Sequence, residues 1–271
     1  MQRISEELNR LGKSYQIIGW GDLNFPLERY PKYVMIFFLD IMQHRDDFIY
    51  GLCVLEELTR AGVTIIPSLK ALYNSDKFAN YLIWNRCLKD KISMPDTLCT
   101  INLEIGIKFL KKYKRVVFKP ISSSQGLGIE LVETENRLKE LLEEYYALFL
   151  QELIIDRGYD LRILVIGDRI VVQYARYNPK KFLKNLHFGA IPKPIDAMME
   201  IDPDIKHFTD ISSQVAKEIG KVAELDIVGV DMLPSKEGKV YLLEWNTIPG
   251  FRGAEEATKM NIAKQIVTFL F

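Results

Sequence analysis

Residues 227–250 read IVGVDMLPSKEGKVYLLEWNTIPG, and their pattern decides the fold. Two apolar runs, 227–233 and 240–245, flank the turn at Ser235 to Gly238, as in two antiparallel strands joined by a hairpin. Side chains two apart on a strand face the same side, so Glu244 and Asn246 project together while Trp245 points away. Asp231 is the single acid in its run, and hairpin pairing sets it beside Glu244. Two carboxylates and an amide oxygen converging at strand ends suit Mg2+ or Mn2+, with phosphate oxygens and water completing an octahedron. Without a metal, the same acids read as strand-end caps bonded to loop amides. Two acids buried together with no cation would, however, repel and need shifted pKa values. Pro249-Gly250 adds a tight loop that brings backbone close to whatever binds there.

Ahead of this hairpin, strand patterns cluster at 116–119, 129–133, 148–153, 161–166 and 170–174, with a helix at 135–147. This is an antiparallel α+β arrangement. Lys119-Pro120 closes the first of these strands, and Ser122-Ser123-Ser124-Gln125-Gly126-Leu127-Gly128 leads into the second. Small hydroxyl residues and glycines between antiparallel strands form a flap whose N–H groups can face phosphate oxygens, with the Lys119 ammonium on the same phosphates. Read alone, the segment is a mobile turn; only its combination with the metal triplet favours the phosphate reading. It is no Walker loop, since no Gly-Lys-Ser/Thr follows, and Gly19-Trp20-Gly21 is no dinucleotide fingerprint, since Asn24 stands where a third glycine is needed. Gln151-Glu152-Leu153-Ile154 leaves a strand just before Gly158-Tyr159-Asp160-Leu161-Arg162. Such an exit presents backbone N–H and C=O groups to an adenine edge, with Asp160 close to the ribose hydroxyls. Asp160 and Arg162 share a strand face, and a salt-bridged pair on an exposed sheet is the other reading of them.

The first seventy or so residues alternate differently. A helix at 4–11 ends near Gly12 and is followed by an apolar stretch at 15–18. A strand is expected at 34–39, within the apolar run 33–41, which Asp40 interrupts and which is too short to span a bilayer. A helix at 46–61 carries Phe48, Leu52, Leu55 and Leu58 on one stripe and stops at Gly62; a strand at 63–66 closes at Pro67. Strands separated by such helices imply a parallel α/β sheet. Asn74-Ser75-Asp76 caps the next helix, 77–89. Farther on, the polar stretch 178–193 reads as a loop and 210–223 as a helix.

The bulk numbers exclude several classes. The 271 residues are 48% hydrophobic and 27% charged, with 36 basic and 36 acidic side chains, so nothing global points to nucleic acid or an anionic membrane. The basic run at 108–115, KFLKKYKR, reads as a solvated helix end. Cys53, Cys87 and Cys99 have neither disulfide nor zinc spacing, which fits a reducing cytoplasm. Charges within the first seven residues leave no signal-type apolar core.

Together these residues resemble the RimK-like ATP-grasp ligases, which join an amino acid, often glutamate, to a carboxylate of a protein or small molecule. The resemblance runs from residue 75 to the carboxy terminus. It is carried by Asp76-Lys77, Val117-Phe118-Lys119-Pro120 with Gln125-Gly126-Leu127-Gly128, Gln151-Glu152, and Gly158-Tyr159-Asp160-Leu161-Arg162 with Val165-Ile166-Gly167-Asp168. Asn185-Leu186-His187-Phe188-Gly189, Gly229-Val230-Asp231 and Glu244-Trp245-Asn246 before Pro249-Gly250 complete it. Each motif alone is weak; their order and spacing are specific. The resemblance implies an α/β amino-terminal lobe at 1–74 and an ATP-grasp domain at 75–271, whose two α+β lobes hold the nucleotide between antiparallel sheets. A central lid subdomain would occupy 93–153 and a metal-binding subdomain 154–271. Because the chain opens on a helix where a strand is usual, the first lobe is expected to be shortened or its start incomplete.

The resemblance also implies roles. ATP would lie on Lys77, Lys119, Ser124, Gln125, Gly126 and Gly128, with adenine at Gln151, Glu152 and Leu153 and the ribose at Asp160. Asp231, Glu244 and Asn246 would hold two Mg2+ or Mn2+ ions. Lys119 and Arg162 would be catalytic, Arg162 as donor to the acylphosphate oxyanion. Two departures stand out. The family's Asp-Phe-Arg-Ser-Asn loop reads Lys181-Phe182-Leu183-Lys184-Asn185, so either Lys184 or Arg176 replaces an arginine that meets phosphates or the substrate differs. Arg252 stands where the best-known members carry glutamate, and it, Arg176, Asn185 and His187 are the expected substrate contacts. The expected partners are a small-molecule or protein carboxylate and an amino acid, without nucleic acid or membrane; a dimer or tetramer is left open. An ATP-binding regulatory or scaffolding module without turnover is the alternative, against which the complete metal triplet argues.

Overall fold

The computed structural model describes residues 2–19, 22–27, 29–36, 45–123 and 126–271. Expected strand residues 37–39, the Phe48 side chain, and the flap residues Ser124 and Gln125 lie outside the described residues.

Helix α1 (Gln2–Arg10) gives way to Gly12, whose φ of 63° is the left-handed stop that the sequence predicts. The apolar stretch after it forms no strand, and Ile17 and Ile18 are exposed. Strands β1 (Tyr33–Met35) and β2 (Thr64–Ile66) pair in parallel across α2 (Arg45–Arg60). Helix α2 buries Val54, Leu55 and Leu58, one helical stripe, against Ile36, Val63 and Ile65. Helix α1 does not join this group: Ile4 belongs to the cluster of Ile262, Ile266 and Val267 in the last helix of the chain.

Helices α3 (Leu69–Tyr73) and α4 (Lys77–Cys87) follow. Asp76 occupies the N-cap of α4, yet its side chain makes no capping bond, and burial pushes its carboxyl up. The sequence signal was thus right in place and wrong in mechanism. Strands β3 (Thr97–Thr100), β4 (Val116–Phe118), β5 (Glu130–Val132) and β6 (Leu148–Glu152) form an antiparallel sheet in the order β3-β6-β4-β5. Period-two alternation sorts its faces. Val116, Phe118, Leu148 and Leu150 pack on α5 (Leu103–Tyr113) and α6 (Glu135–Tyr145), through Leu110, Leu138 and Leu141. Val117, Lys119 and Gln151 take the other face. At the end of α5, Lys111 pairs with Glu135 at 2.9 Å and Lys112 with Asp96 at 2.8 Å.

The second sheet comprises β7 (Tyr159–Ile166), β8 (Arg169–Tyr177), β9 (Ile191–Pro194), β10 (Ile227–Pro234) and β11 (Val240–Asn246), antiparallel throughout in the order β11-β10-β7-β8-β9. Strand β9 lies inside the stretch read as a loop. Its two prolines hid it, and proline is tolerated there because β9 is an edge strand with one unpaired side. Helix α7 (Ile195–Met198) and α8 (Ile205–Val222) come next, the latter starting five residues before its expected position. Helices α9 (Arg252–Thr258) and α10 (Ile262–Leu270) end the chain. One face of the sheet, with Leu161, Ile163, Val165, Val228, Val230 and Met232, shares a core with Phe208, Ala216 and Ile219 of α8. On the opposite face, Leu164, Ile166, Val172 and Ile227 pack on α9 and α10.

The open edge of β11 is covered by α4. The Trp245 N–H donates to Asn80 Oδ1 (2.7 Å), the Trp245 indole donates to the Asn74 carbonyl (2.9 Å), and Leu242 N–H donates to the Ser93 carbonyl (2.8 Å). Asn80 is 1% exposed, so its loss would leave a buried N–H unpaired. Asn80→Ala is therefore expected to cost about 1–3 kcal/mol in urea unfolding. An unchanged midpoint would mean that another group satisfies Trp245.

Candidate active site

The alternation of β7 delivers charge to one face and oil to the other. Tyr159, Leu161, Ile163 and Val165 point into the α8 core, while Asp160 and Arg162 point opposite, at the end of the strand that Leu164 and Ile166 do not occupy. On β10 the same face carries Asp231, and register places it opposite Arg162 on one side and Glu244 on the other. Gly229 lies opposite Asn246, and Trp245 is 1% exposed in the core, so Glu244 and Asn246 share the charged face.

These groups form a buried ion network. Arg176 on β8 donates to both oxygens of Asp160, at 2.7 and 2.6 Å, and its Nη2 lies 2.9 Å from Asp231 Oδ2. Arg162 Nη2 donates to Asp231 Oδ2 at 3.0 Å, and its Nε lies 2.5 Å from Oδ1 without the alignment of a hydrogen bond. Lys77 Nζ is 4.0 Å from Glu244 Oε2. Burial pushes the Lys119 ammonium below the ordinary lysine range, against the pull of Glu244. Burial pushes Glu244 up, but Lys77, Lys119, Arg162 and Arg176 outweigh it and hold the carboxyl below its ordinary range. Asp160 is raised by burial to about 6 despite Arg176. Burial works against the Arg176 charge as well, yet Asp160 and Asp231 hold its guanidinium well above the ordinary range.

The network opens into a cleft between the two sheets. Val117, Ile129, Leu153, Leu233 and Leu243 give it apolar walls, and Lys119, Asp160, Arg176, Asp231 and Glu244 line its polar end. The flap reaches it from the first sheet. Lys77 Nζ donates to the Ser123 carbonyl (2.7 Å) and to Ser123 Oγ (3.1 Å), tying the flap to the lysine that faces Glu244. Gly126 has a φ of 78°, and a Cβ there would sit 3.0 Å from Asn185 Nδ2 and 3.1 Å from Phe188. Flap and 178–190 segment therefore touch. Gly128, with a φ of 72°, lies against Pro120 and Tyr145 instead.

The expected site residues separate accordingly. Lys77, Lys119, Arg162, Arg176, Asp160, Asp231 and Glu244 come together, with Asn246 on the same face. Gln151 is buried and donates to Thr97 Oγ1 at 2.9 Å. The Glu152 N–H is committed to the Asp96 carbonyl at 2.9 Å, which leaves the Leu153 N–H, unpaired among the described residues, for a base. Asp160, expected at a ribose, has both oxygens on Arg176 and is 2% exposed. Lys184, expected at phosphates, is 4% exposed and pairs with Asp156 Oδ1 at 3.0 Å; it also donates to the Asn178 carbonyl at 3.0 Å and to that of Lys181. Leu183, Lys184 and Arg176 all line the cleft, with Lys184 paired to Asp156 and Arg176 to Asp160 and Asp231, while His187 and Arg252 are exposed and do not line it. Sequence reasoning missed Asp156, which lines the cleft and accepts from the Gly158 N–H at 2.6 Å. Its signal was the Asp-x-Gly turn at a strand exit.

The residues present fit a divalent cation. Asp231 Oδ1 and Glu244 Oε2 are buried oxygens without a hydrogen bond, facing Arg162 Nε at 2.5 Å and Lys77 Nζ at 4.0 Å, and such carboxylates have lone pairs left for a cation. Among the described residues no cluster of three His, Cys, Asp or Glu side chains exists. A metal here would rest on two carboxylates and the Asn246 amide, a hard-oxygen set that leaves positions for phosphate oxygens.

Among the described residues no helix is long and apolar enough to cross a membrane. The pattern of the RimK-like ATP-grasp domain matches residues 75–270. A probable alpha-L-glutamate ligase of Trichodesmium erythraeum is 34% identical over 241 residues, 82% of this chain and 72% of that protein. One of Coxiella burnetii is 34% identical over 161 residues, 57% of this chain; the match spans 50% of that relative's length. Among solved structures, the ATP-grasp ligase PsnB, complexed with minimal precursor, Mg and ADP, superimposes with a TM-score of 0.67 over 99% of this chain and 92% of its own. At 18% identity that likeness is one of fold.

Proposed function

This chain belongs to the RimK-like ATP-grasp family, and from that premise we propose that it is an ADP-forming carbon–nitrogen ligase. It joins an amino acid, glutamate first among candidates, to a carboxylate of a small molecule, peptide or protein. The reading rests above all on one observation: two buried carboxylate oxygens without a hydrogen bond, of Asp231 and Glu244, stand among Lys77, Lys119, Arg162 and Arg176 at the polar end of a cleft with apolar walls.

In this reading the apolar walls and the Leu153 N–H take the adenine, and Lys77 and Lys119 take phosphate oxygens. Asp231, Glu244 and Asn246 would hold one or two Mg2+ ions, which when bound neutralise charge on the transferring phosphoryl group. The acceptor carboxylate oxygen attacks the γ-phosphorus of ATP and ADP leaves; the amine nitrogen then attacks the acyl carbon, loses a proton, and phosphate departs. Arg162 supports the charge on the acyl phosphate as a charge-assisted donor. Flap contact with Asn185 and Phe188 keeps water from that intermediate. Lys184 serves the fold of the 178–190 segment through Asp156 rather than the phosphates.

A second reading, an ATP-binding module without turnover, rests on Leu183, which stands where the family has a phosphate-facing arginine, and on Lys184 and Arg176 both being held by carboxylates. One matrix experiment separates the two: ADP release with Mg2+ and ATP, amino acids crossed with candidate acids. Release that requires both an acid and an amine is expected. ATP binding without release anywhere in the matrix would favour the module.

A further inference from the structure

Gly229 is a buried glycine in the middle of a central strand, where glycine weakens the sheet and offers no side chain to pack. It is not among the glycines with a left-handed φ, so the backbone does not demand it. Space does. Gly229 stands two residues before Asp231 on the same face of β10, the face along which the Arg162 guanidinium lies. A Cβ at 229 would sit 2.6 Å from Arg162 Nη1 and 2.6 Å from Pro249 Cβ, both closer than real Cβ contacts. The other two nitrogens of that guanidinium are engaged with Asp231, Nε at 2.5 Å and Nη2 at 3.0 Å, so it cannot move without releasing that carboxylate.

We propose that Gly229 is a positioning residue: its bare Cα is a slot that seats the Arg162 guanidinium flat against Asp231, with Pro249 closing the slot from the loop after Asn246. The slot itself rests on geometry alone; its catalytic consequence rests on the role given to Arg162 above. The arginine, as the end of a flexible side chain, is what gives way when the slot is filled. The loop at Pro249 must also shift to admit the methyl group, and the alignment of the guanidinium is lost.

The test is Gly229→Ala, read in two ways. In the ligand-free protein, the Arg162 Nε–H resonance, identified by its loss in Arg162→Lys, is expected to shift or broaden. In turnover, kcat is expected to fall about 100-fold, the scale of an ångström-sized misplacement, with KM for ATP within about threefold because Gly229 touches no nucleotide group. In an Arg162→Ala background the same substitution should cost less than about threefold, since the group it displaces is gone. An unmoved resonance, or an equal cost in both backgrounds, overturns the proposal. A moved resonance in a protein whose wild type never releases ADP upholds the slot and sinks the ligase reading instead. Should Gly229→Ala fail to fold, Gly229→Ala with Pro249→Gly relieves the loop contact and is read by the same two criteria.

Discussion

Glu244→Ala is expected to lower Mg2+-dependent ADP release by about a thousandfold. The magnitude follows from the several kcal/mol that a bound metal contributes to a phosphoryl transition state, at about 1.4 kcal/mol per decade. Glu244 supplies one of the two buried oxygens without a hydrogen bond and is the carboxylate facing Lys77 and Lys119. On the proposed reading its removal takes away a metal ligand and leaves Lys77 and Lys119 without the carboxylate they share. ATP then still meets cations, so nucleotide affinity should fall far less than turnover. The comparison to make is steady-state ADP release against nucleotide binding, each titrated with Mg2+. Release at the native rate would remove Glu244 from the metal site and with it the reading built on Asp231, Glu244 and Asn246.

Arg176→Ala is expected to have the largest effect on stability. The guanidinium satisfies both oxygens of Asp160 and one of Asp231, and all three side chains are at least 94% buried. Removing one member of a buried ion pair leaves charge without compensation, at about 3–5 kcal/mol, or roughly 10 °C in melting temperature for a chain of this size. The deficit should depend on pH. Asp160 already titrates near 6 in the folded chain, raised by burial above its unfolded value, and loss of Arg176 raises it further. A folded state that binds more protons than the unfolded one loses stability as pH rises through the interval between the two pKa values. The gap between variant and wild type should therefore narrow from pH 7.5 to pH 5. A gap that widens toward pH 5 would show that Asp160 is not the group left stranded.

Much of this architecture was legible because it is local. The runs at 116–119, 148–153, 161–166 and 240–245 each became strands within a residue or two of their expected ends, since period-two patterning and turn chemistry act over a few residues. Strand β9 was not legible, because its prolines erase the pattern and only an edge position makes them tolerable. Asp160 shows the limit at the site. Its face of β7 could be read from alternation, but what crosses that face could not: Arg176 comes from the next strand, with Tyr159 opposite Tyr177 setting the register. Lys184 illustrates the same point. Sequence puts a cation next to Leu183, and only the folded 178–190 segment commits its ammonium to Asp156 and two carbonyls at the cleft wall.

By itself, then, the sequence determined which residues share a face and which two strands carry the hairpin of Asp231 and Glu244, because those follow from backbone period and a short turn. Tertiary structure alone decided that Lys77 would bridge Ser123 and Glu244, that two arginines would converge on Asp231, and that a missing side chain at Gly229 would leave room for one of them. Such contacts join segments up to 167 residues apart (Lys77 to Glu244). Sheet order and the meeting of two lobes set their partners, and no local propensity encodes either.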